Sequence, residues 1–180
     1  MKTQTEHRIH SDALQPTDAD LLDNPLKFIA EDHVHIRAVC AEMERLAQSE
    51  EIDPEEAHRI LRFVTQELPL LVKDEDEDLF PLLLRRSEPD DDMRGLKARL
   101  GKEHDKVMAL VQAITEAFER LAAGADALAV EDQKDVARFA MHMRRHLAFE
   151  DAIVLPFARL RLTARDLETL RLRMRTRRGL

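Results

Sequence analysis

At 180 residues the chain is long enough to bury a core of its own and reads as one domain. Charged residues reach 36%, Trp and Tyr are missing and only four Gly occur, a balance that favours helices over sheet. The formal charge of −8 argues against nucleic acid as a partner, and no apolar run approaches the roughly 20 residues that span a bilayer.

Residues 1–23 are polar and aperiodic, and they read as a flexible tail in which His7 and His10 have no evident partners. The opening MKTQTEHRIHSDALQ lacks the apolar centre of a signal peptide and the single Cys40 cannot form an internal disulfide, so a cytoplasmic setting is expected. Asp23 or Asn24 is placed to cap a first helix with Pro25 in its first turn. Along it Leu26, Ile29, His33, Ile36, Cys40 and Met43 recur at intervals of three and four, which puts His33 on the apolar stripe. His35, about 200° round the helix, is expected to face solvent, and Cys40 to act as a small buried hydrophobe.

A second helix starts at Asp53-Pro54-Glu55-Glu56 and runs to about Arg86, with a kink or break expected near Glu67 because Pro69 lies inside it. Its stripe is Val64, Leu68, Leu71, Glu75, Leu79 and Leu82, with a carboxylate where an apolar residue would fit. The run Asp74 to Asp78 would by itself read as a solvated face, since five successive residues wrap round a helix. After the SEPDDD turn a third helix carries Leu96, Leu100, His104, Val107, Val111, Ile114, Phe118 and Leu121 on one face. A fourth carries Val136, Phe139, Met143, His146, Glu150, Val154 and Phe157. Thr163 caps a short fifth helix with an Arg-rich end that is expected to be solvated. The predicted fold is all-α, an antiparallel up-down four-helix bundle over residues 24–160, with residues 161–180 as a short C-terminal helix and basic tail.

The chain also repeats itself. LLVKDEDEDLFP and HLAFEDAIVLP align on their prolines without a gap, setting Glu75 opposite Glu150, Asp76 opposite Asp151 and Leu71 opposite His146. His33 precedes Glu75 by 42 residues and His104 precedes Glu150 by 46, so one helical hairpin is written twice, with a His on its first helix and a carboxylate on its second.

A single His on an apolar face is more often a hydrogen-bonded core residue than a ligand. Here four helices each direct imidazole or carboxylate groups inward at matching heights, and burying several such groups is costly unless they pair or bind a cation. His146 and Glu150, about 40° apart in projection and one turn apart, have the spacing of two metal ligands on one helix face.

These residues, His33 in EDHVHI, DEDEDLFP, His104 in KEHDKV and HLAFEDAIVLP, resemble the hemerythrin-like HHE cation-binding domain over roughly residues 24–160. In that family a non-haem di-iron centre is held by a His on the first helix, His-x-x-x-Glu on the second, a His on the third and His-x-x-x-Glu or His-x-x-x-x-Asp on the fourth. The resemblance implies His33, Glu75, His104, His146 and Glu150 as metal ligands, Asp151 as an alternative to Glu150, and Glu75 with the fourth-helix carboxylate as the bridging pair. This sequence departs from the pattern at Leu71, where the second-helix His belongs, and at Leu100 and Met108 it lacks the second third-helix His of the oxygen carriers. His142, one turn before His146, either extends the ligand ladder or sits at the rim against Glu67. His58 is about 25 Å along the helix from Glu75 and too far to join.

The expected function is that of an iron-binding protein with a depleted mononuclear or di-iron site, open to a small ligand such as O₂, peroxide or NO, with Zn or Mn able to take the place of iron. Peroxidase, catalase-like or oxidase turnover would at most be weak, and no nucleophile triad or phosphate loop supports covalent catalysis. The alternative is a metal-free interaction bundle that lost its site with the His at position 71, acting through a homodimer or another protein partner.

Overall fold

Helix starts leave backbone N–H groups without partners, and at four of the five main helices a side-chain oxygen takes one of them. Asn24 accepts from the Lys27 N–H at 3.2 Å, Asp53 from Glu55 at 3.0 Å, Asp92 from Gly95 at 3.3 Å and Thr163 from Asp166 at 3.3 Å. In the fourth helix Asp132 accepts the Ala129 N–H at 3.2 Å instead. The computed structural model describes residues 14–50 and 52–180, and among them there are helices and turns but no strand.

We number the main helices α1 (Pro25–Ala47), α2 (residues 54–86), α3 (Met93–Ala122), α4 (residues 130–161) and α5 (Ala164–Arg177). Short connections return the chain antiparallel, with α1 packed along α4, α4 along α3, and α3 along the first part of α2. The inward stripes form one continuous core that includes Ile29, Ile36, Cys40 and Met43 of α1, Leu68, Leu71 and Leu79 of α2, Val107 and Phe118 of α3, and Phe139 and Val154 of α4. At Cys40, burial pushes the thiol up to about 12, which leaves it protonated and unreactive.

Pro69 does not break α2. Among the described residues three turns are π-helical, Phe63–Glu67 and Asp74–Leu79 in α2 and Glu150–Val154 in α4, and each lies just before a proline. A proline ring collides with the carbonyl four residues back and offers no N–H to it. Widening the turn by one residue removes the collision: the residues preceding Pro69, Pro81 and Pro156 donate to carbonyls five back, Leu68 to Phe63, Phe80 to Glu75 and Leu155 to Glu150. Two of these turns begin at or beside the inward carboxylates Glu75 and Glu150.

The ends of the chain differ from expectation. Residues 14–23 pack against the bundle: Leu14 and Leu22 are buried, Ala19–Asp23 form a 3₁₀ turn, and the Thr17 hydroxyl donates to Asp32 at 2.5 Å. The rest of the expected tail, with His7 and His10, lies outside the described residues. The Arg-rich C-terminus is only partly solvated, Arg173 staying exposed. Leu170 and Met174 bury one face of α5, and Arg173, Arg177 and Arg178 turn onto the acids of α2, so the run Asp74 to Asp78 is not a solvated face either.

Candidate metal centre

Four helices bring five side chains to one point in the core. His33 comes from α1, Glu75 from the second π turn of α2, His104 from the middle of α3, and His146 with Glu150 from α4, where the π turn begins. Each is at most 5% exposed.

The His104 and His146 Nε2 atoms lie 3.0 Å apart, His104 Nε2 is 3.1 Å from Glu75 Oε2, and His146 Nε2 is 3.2 Å from Glu150 Oε2. Glu75 Oε2 and His146 Nε2 are 4.0 Å apart. Ligands about 2.1 Å from a shared ion stand about 3.0 Å apart when adjacent and about 4.2 Å apart when opposite, so these four side chains have the spacing of ligands around one centre. They form a group that could hold a metal ion. His33 stands on the other side of Glu75 and is looser, its Nε2 being 3.6 Å from Glu75 Oε1 and 3.4 Å from Glu150 Oε2, the oxygen that also faces His146. Glu75 thus turns one oxygen to each side.

Orphaned atoms test whether the residues suit a cation. Both oxygens of Glu75, both oxygens of Glu150 and His33 Nε2 are buried without a hydrogen bond. At Glu75 Oε2 the 3.1 Å approach of His104 is off the direction that a hydrogen bond needs, so the ring and the carboxylate point at common space rather than at each other. Unpartnered carboxylate oxygens cost several kcal/mol in an interior of this kind, and an ion between them removes that cost.

A second layer holds two of the imidazoles. Asp151 Oδ1 lies 2.7 Å from His33 Nδ1, and Asp76 Oδ2 lies 3.1 Å from His104 Nδ1. Arg37 donates to Asp151 at 2.6 Å and holds it in place. A carboxylate behind a ligating His sets the tautomer that leaves Nε2 free to bind and raises its basicity. Asp151 therefore stands behind His33 and is not an alternative to Glu150. The signal was present in the repeat, since each inward Glu is followed directly by Asp.

The charges of the cluster shift one another. Burial lowers the pKa of His33, but the facing carboxylates of Glu75, Glu150 and Asp151 reverse this and raise it to about 9. Burial works the same way on His104, and Asp76 and Glu75 raise it to about 10. At Glu75 burial favours the neutral acid, yet His104 and His33 outweigh it and hold the carboxyl below the usual range. Glu150 is pushed up by burial and by the charge of Glu75.

Two more expectations are corrected. His142 is outside the cluster, with its Nδ1 3.9 Å from Glu103, so it neither extends the ladder nor meets Glu67. Glu67 instead accepts from His35 at 2.9 Å and from Arg62 at 3.0 Å. His35 is buried edge-on to Phe63, not turned to solvent, and its partner Glu67 closes the first π turn of α2. His58 is exposed at the start of the second turn of α2, its Nδ1 2.8 Å from the Pro54 carbonyl. Leu71, one turn before Glu75, is buried in the apolar core.

The description "Hemerythrin HHE cation binding domain" matches residues 24–158, three quarters of the chain. The chain belongs to the hemerythrin HHE cation-binding family. No curated protein matches it. In this hemerythrin-family chain the cluster of Glu75, His104, His146 and Glu150 falls within the matched span, at the meeting point of the four helices. A cleft of about 250 Å³ between α3 and α4 reaches His146, and beside it the Arg99 guanidinium lies over the Phe149 ring at 4.4 Å. Among the described residues no helix is long and apolar enough to cross a membrane.

Proposed function

We propose that the protein binds iron through His33, Glu75, His104, His146 and Glu150, with one well-provided position and one poor one. His104, His146, Glu75 and Glu150 serve the first. His33, the Oε1 of Glu75 and the Oε2 that Glu150 shares between His33 and His146 serve the second, which lacks the His that the family pattern puts at position 71. Imidazole and carboxylate suit iron, while Zn or Mn would compete for the same atoms. Iron held by these residues would supply reversible binding of O₂, peroxide or NO, which would suit a sensing, storage or detoxifying role. The chain's own contribution is to hold the imidazoles by Asp76 and Asp151, keep bulk water away, and admit small molecules along the cleft beside His146.

The observation that carries this reading is the set of buried carboxylate oxygens without hydrogen bonds. In the metal-free interaction bundle the imidazoles alone would have to compensate these carboxylates, across ion-pair distances of 3.1 to 3.6 Å. The test is to purify the protein without oxygen, reconstitute it with ferrous iron, and measure iron per chain and absorption after exposure to air. One firmly held iron and its loss in His146→Ala are expected. No bound iron in the wild type would overturn the reading.

A further inference from the structure

The five acids of residues 74–78 have different neighbours. Glu75 faces the cluster and Asp76 meets His104. Asp74 and Asp78, both buried, face the other way, onto α5. Asp74 pairs with Arg177 and, at 2.7 Å, with Arg178; Asp78 pairs with Arg173 and Arg177, each at 2.8 Å. Glu77 meets Arg177 at 3.0 Å. On the far side of these pairs the Arg178 guanidinium lies over the Phe28 ring of α1 at 4.8 Å, which ties the end of α5 to the bundle.

All five acids belong to one π turn. Its wider ring is less regular than an α-helix, and the aim of its side chains depends on what grips the turn from outside. Asp74 and Asp78 are the grips: a buried carboxylate that loses its partner is driven toward water. Rotating the turn to expose them would carry Glu75 away from His104 and Asp76 away from the same ring, because all four side chains share that backbone.

We infer that α5 is a strap that positions Glu75 and Asp76 for metal binding by holding Asp74 and Asp78 through Arg173, Arg177 and Arg178. The inference rests on the proposed metal site. Coupling is reciprocal, so metal at the centre must also tighten the docking of α5, although no residue of that helix belongs to the cluster.

The test uses the full chain with Co²⁺ as a spectroscopic probe and hydrogen exchange as a second readout. Arg177→Ala is expected to weaken Co²⁺ binding at least tenfold, to alter the Co²⁺ absorption, and to speed exchange at residues 74–80 even without metal. Arg177→Lys should restore part of the affinity. Arg144→Ala, which breaks an ion pair with Glu44 between α1 and α4, controls for plain destabilisation and should bind Co²⁺ as the wild type does. In the wild type, Co²⁺ should slow exchange across Ala164–Arg177. Wild-type affinity and wild-type exchange at residues 74–80 in a folded Arg177→Ala protein would overturn the strap. Should that variant not fold, Arg173→Ala replaces it, and unchanged exchange of α5 on Co²⁺ loading would be equally decisive. A wild type that takes neither Co²⁺ nor Fe²⁺ refutes the metal site, and exchange at residues 74–80 in the metal-free variant then decides the strap alone.

Discussion

Asp151 lies 2.7 Å from His33 Nδ1, and the symmetric residue of the repeat, Asp76, stands 3.1 Å from His104 Nδ1. Each acid follows an inward Glu by one residue, so a Glu-Asp pair serves both the cluster and the His behind it. Removing such a carboxylate typically costs 10- to 100-fold in metal affinity. Asp151→Asn should weaken binding on the His33 side and Asp76→Asn on the His104 side by about that factor. Competitive metal titration with a chelator measures both.

The missing His at position 71 makes the two sides of the cluster unequal. Leu71→His should raise metal uptake toward two ions per chain, because it would add an imidazole one turn before Glu75. In the unmodified chain His104→Ala should remove the firmly held ion, whereas His33→Ala should leave it largely in place. Elemental analysis after desalting separates these outcomes.

In the metal-free protein, His33 and His104 hold protons at neutral pH because the facing carboxylates raise them to about 9 and about 10. Groups whose folded pKa lies above the usual imidazole value of about 6.5 stabilise the fold fully below that value. Their contribution is then lost as pH rises through 9 and 10. Thermal melts of the metal-free protein should therefore show falling stability above pH 7. Metal binding must displace those protons, so affinity should rise as pH increases from 6 to 8, with proton release detectable by calorimetry in buffers of different ionisation enthalpy.

Asp166 receives both arms of Arg86, at 2.7 and 3.1 Å, and the Thr163 hydroxyl, which together hold its carboxyl well below the ordinary range. A depressed carboxylate stabilises the fold at pH values above about 4 and ceases to do so as it is protonated in acid. Asp166→Ala should lower the melting temperature at pH 7, with the gap to wild type narrowing as pH falls toward 3.

Pro156 forces the π turn that begins at Glu150. Pro156→Ala restores an N–H and removes the ring, which allows the segment to return to α-helical bonding and turns Glu150 out of register with His146. Metal affinity should fall while helix content by circular dichroism is kept; an unchanged affinity would show that packing, rather than the proline, sets that turn.

The sequence alone determined four amphipathic helices, the helix starts at Asn24, Asp53 and Thr163, the polar positions on the inward stripes and the Leu at position 71 opposite His146 in the repeat, because period and spacing survive in one dimension wherever a helix is regular. The pattern of His33, His104, His146 and Glu150 was legible for that reason. What only the tertiary structure decided is how five consecutive acids divide their work, why Asp151 and Asp76 stand behind imidazoles, where His35 and His142 go, and that the Arg-rich end grips α2. Most of these depend on a π turn, where angles counted along an α-helix no longer hold, or on pairing between residues distant in the chain, such as Arg177 with Asp74; His142 turns to Glu103 of the neighbouring α3. Burial and Coulomb attraction choose such partners only after the helices have packed.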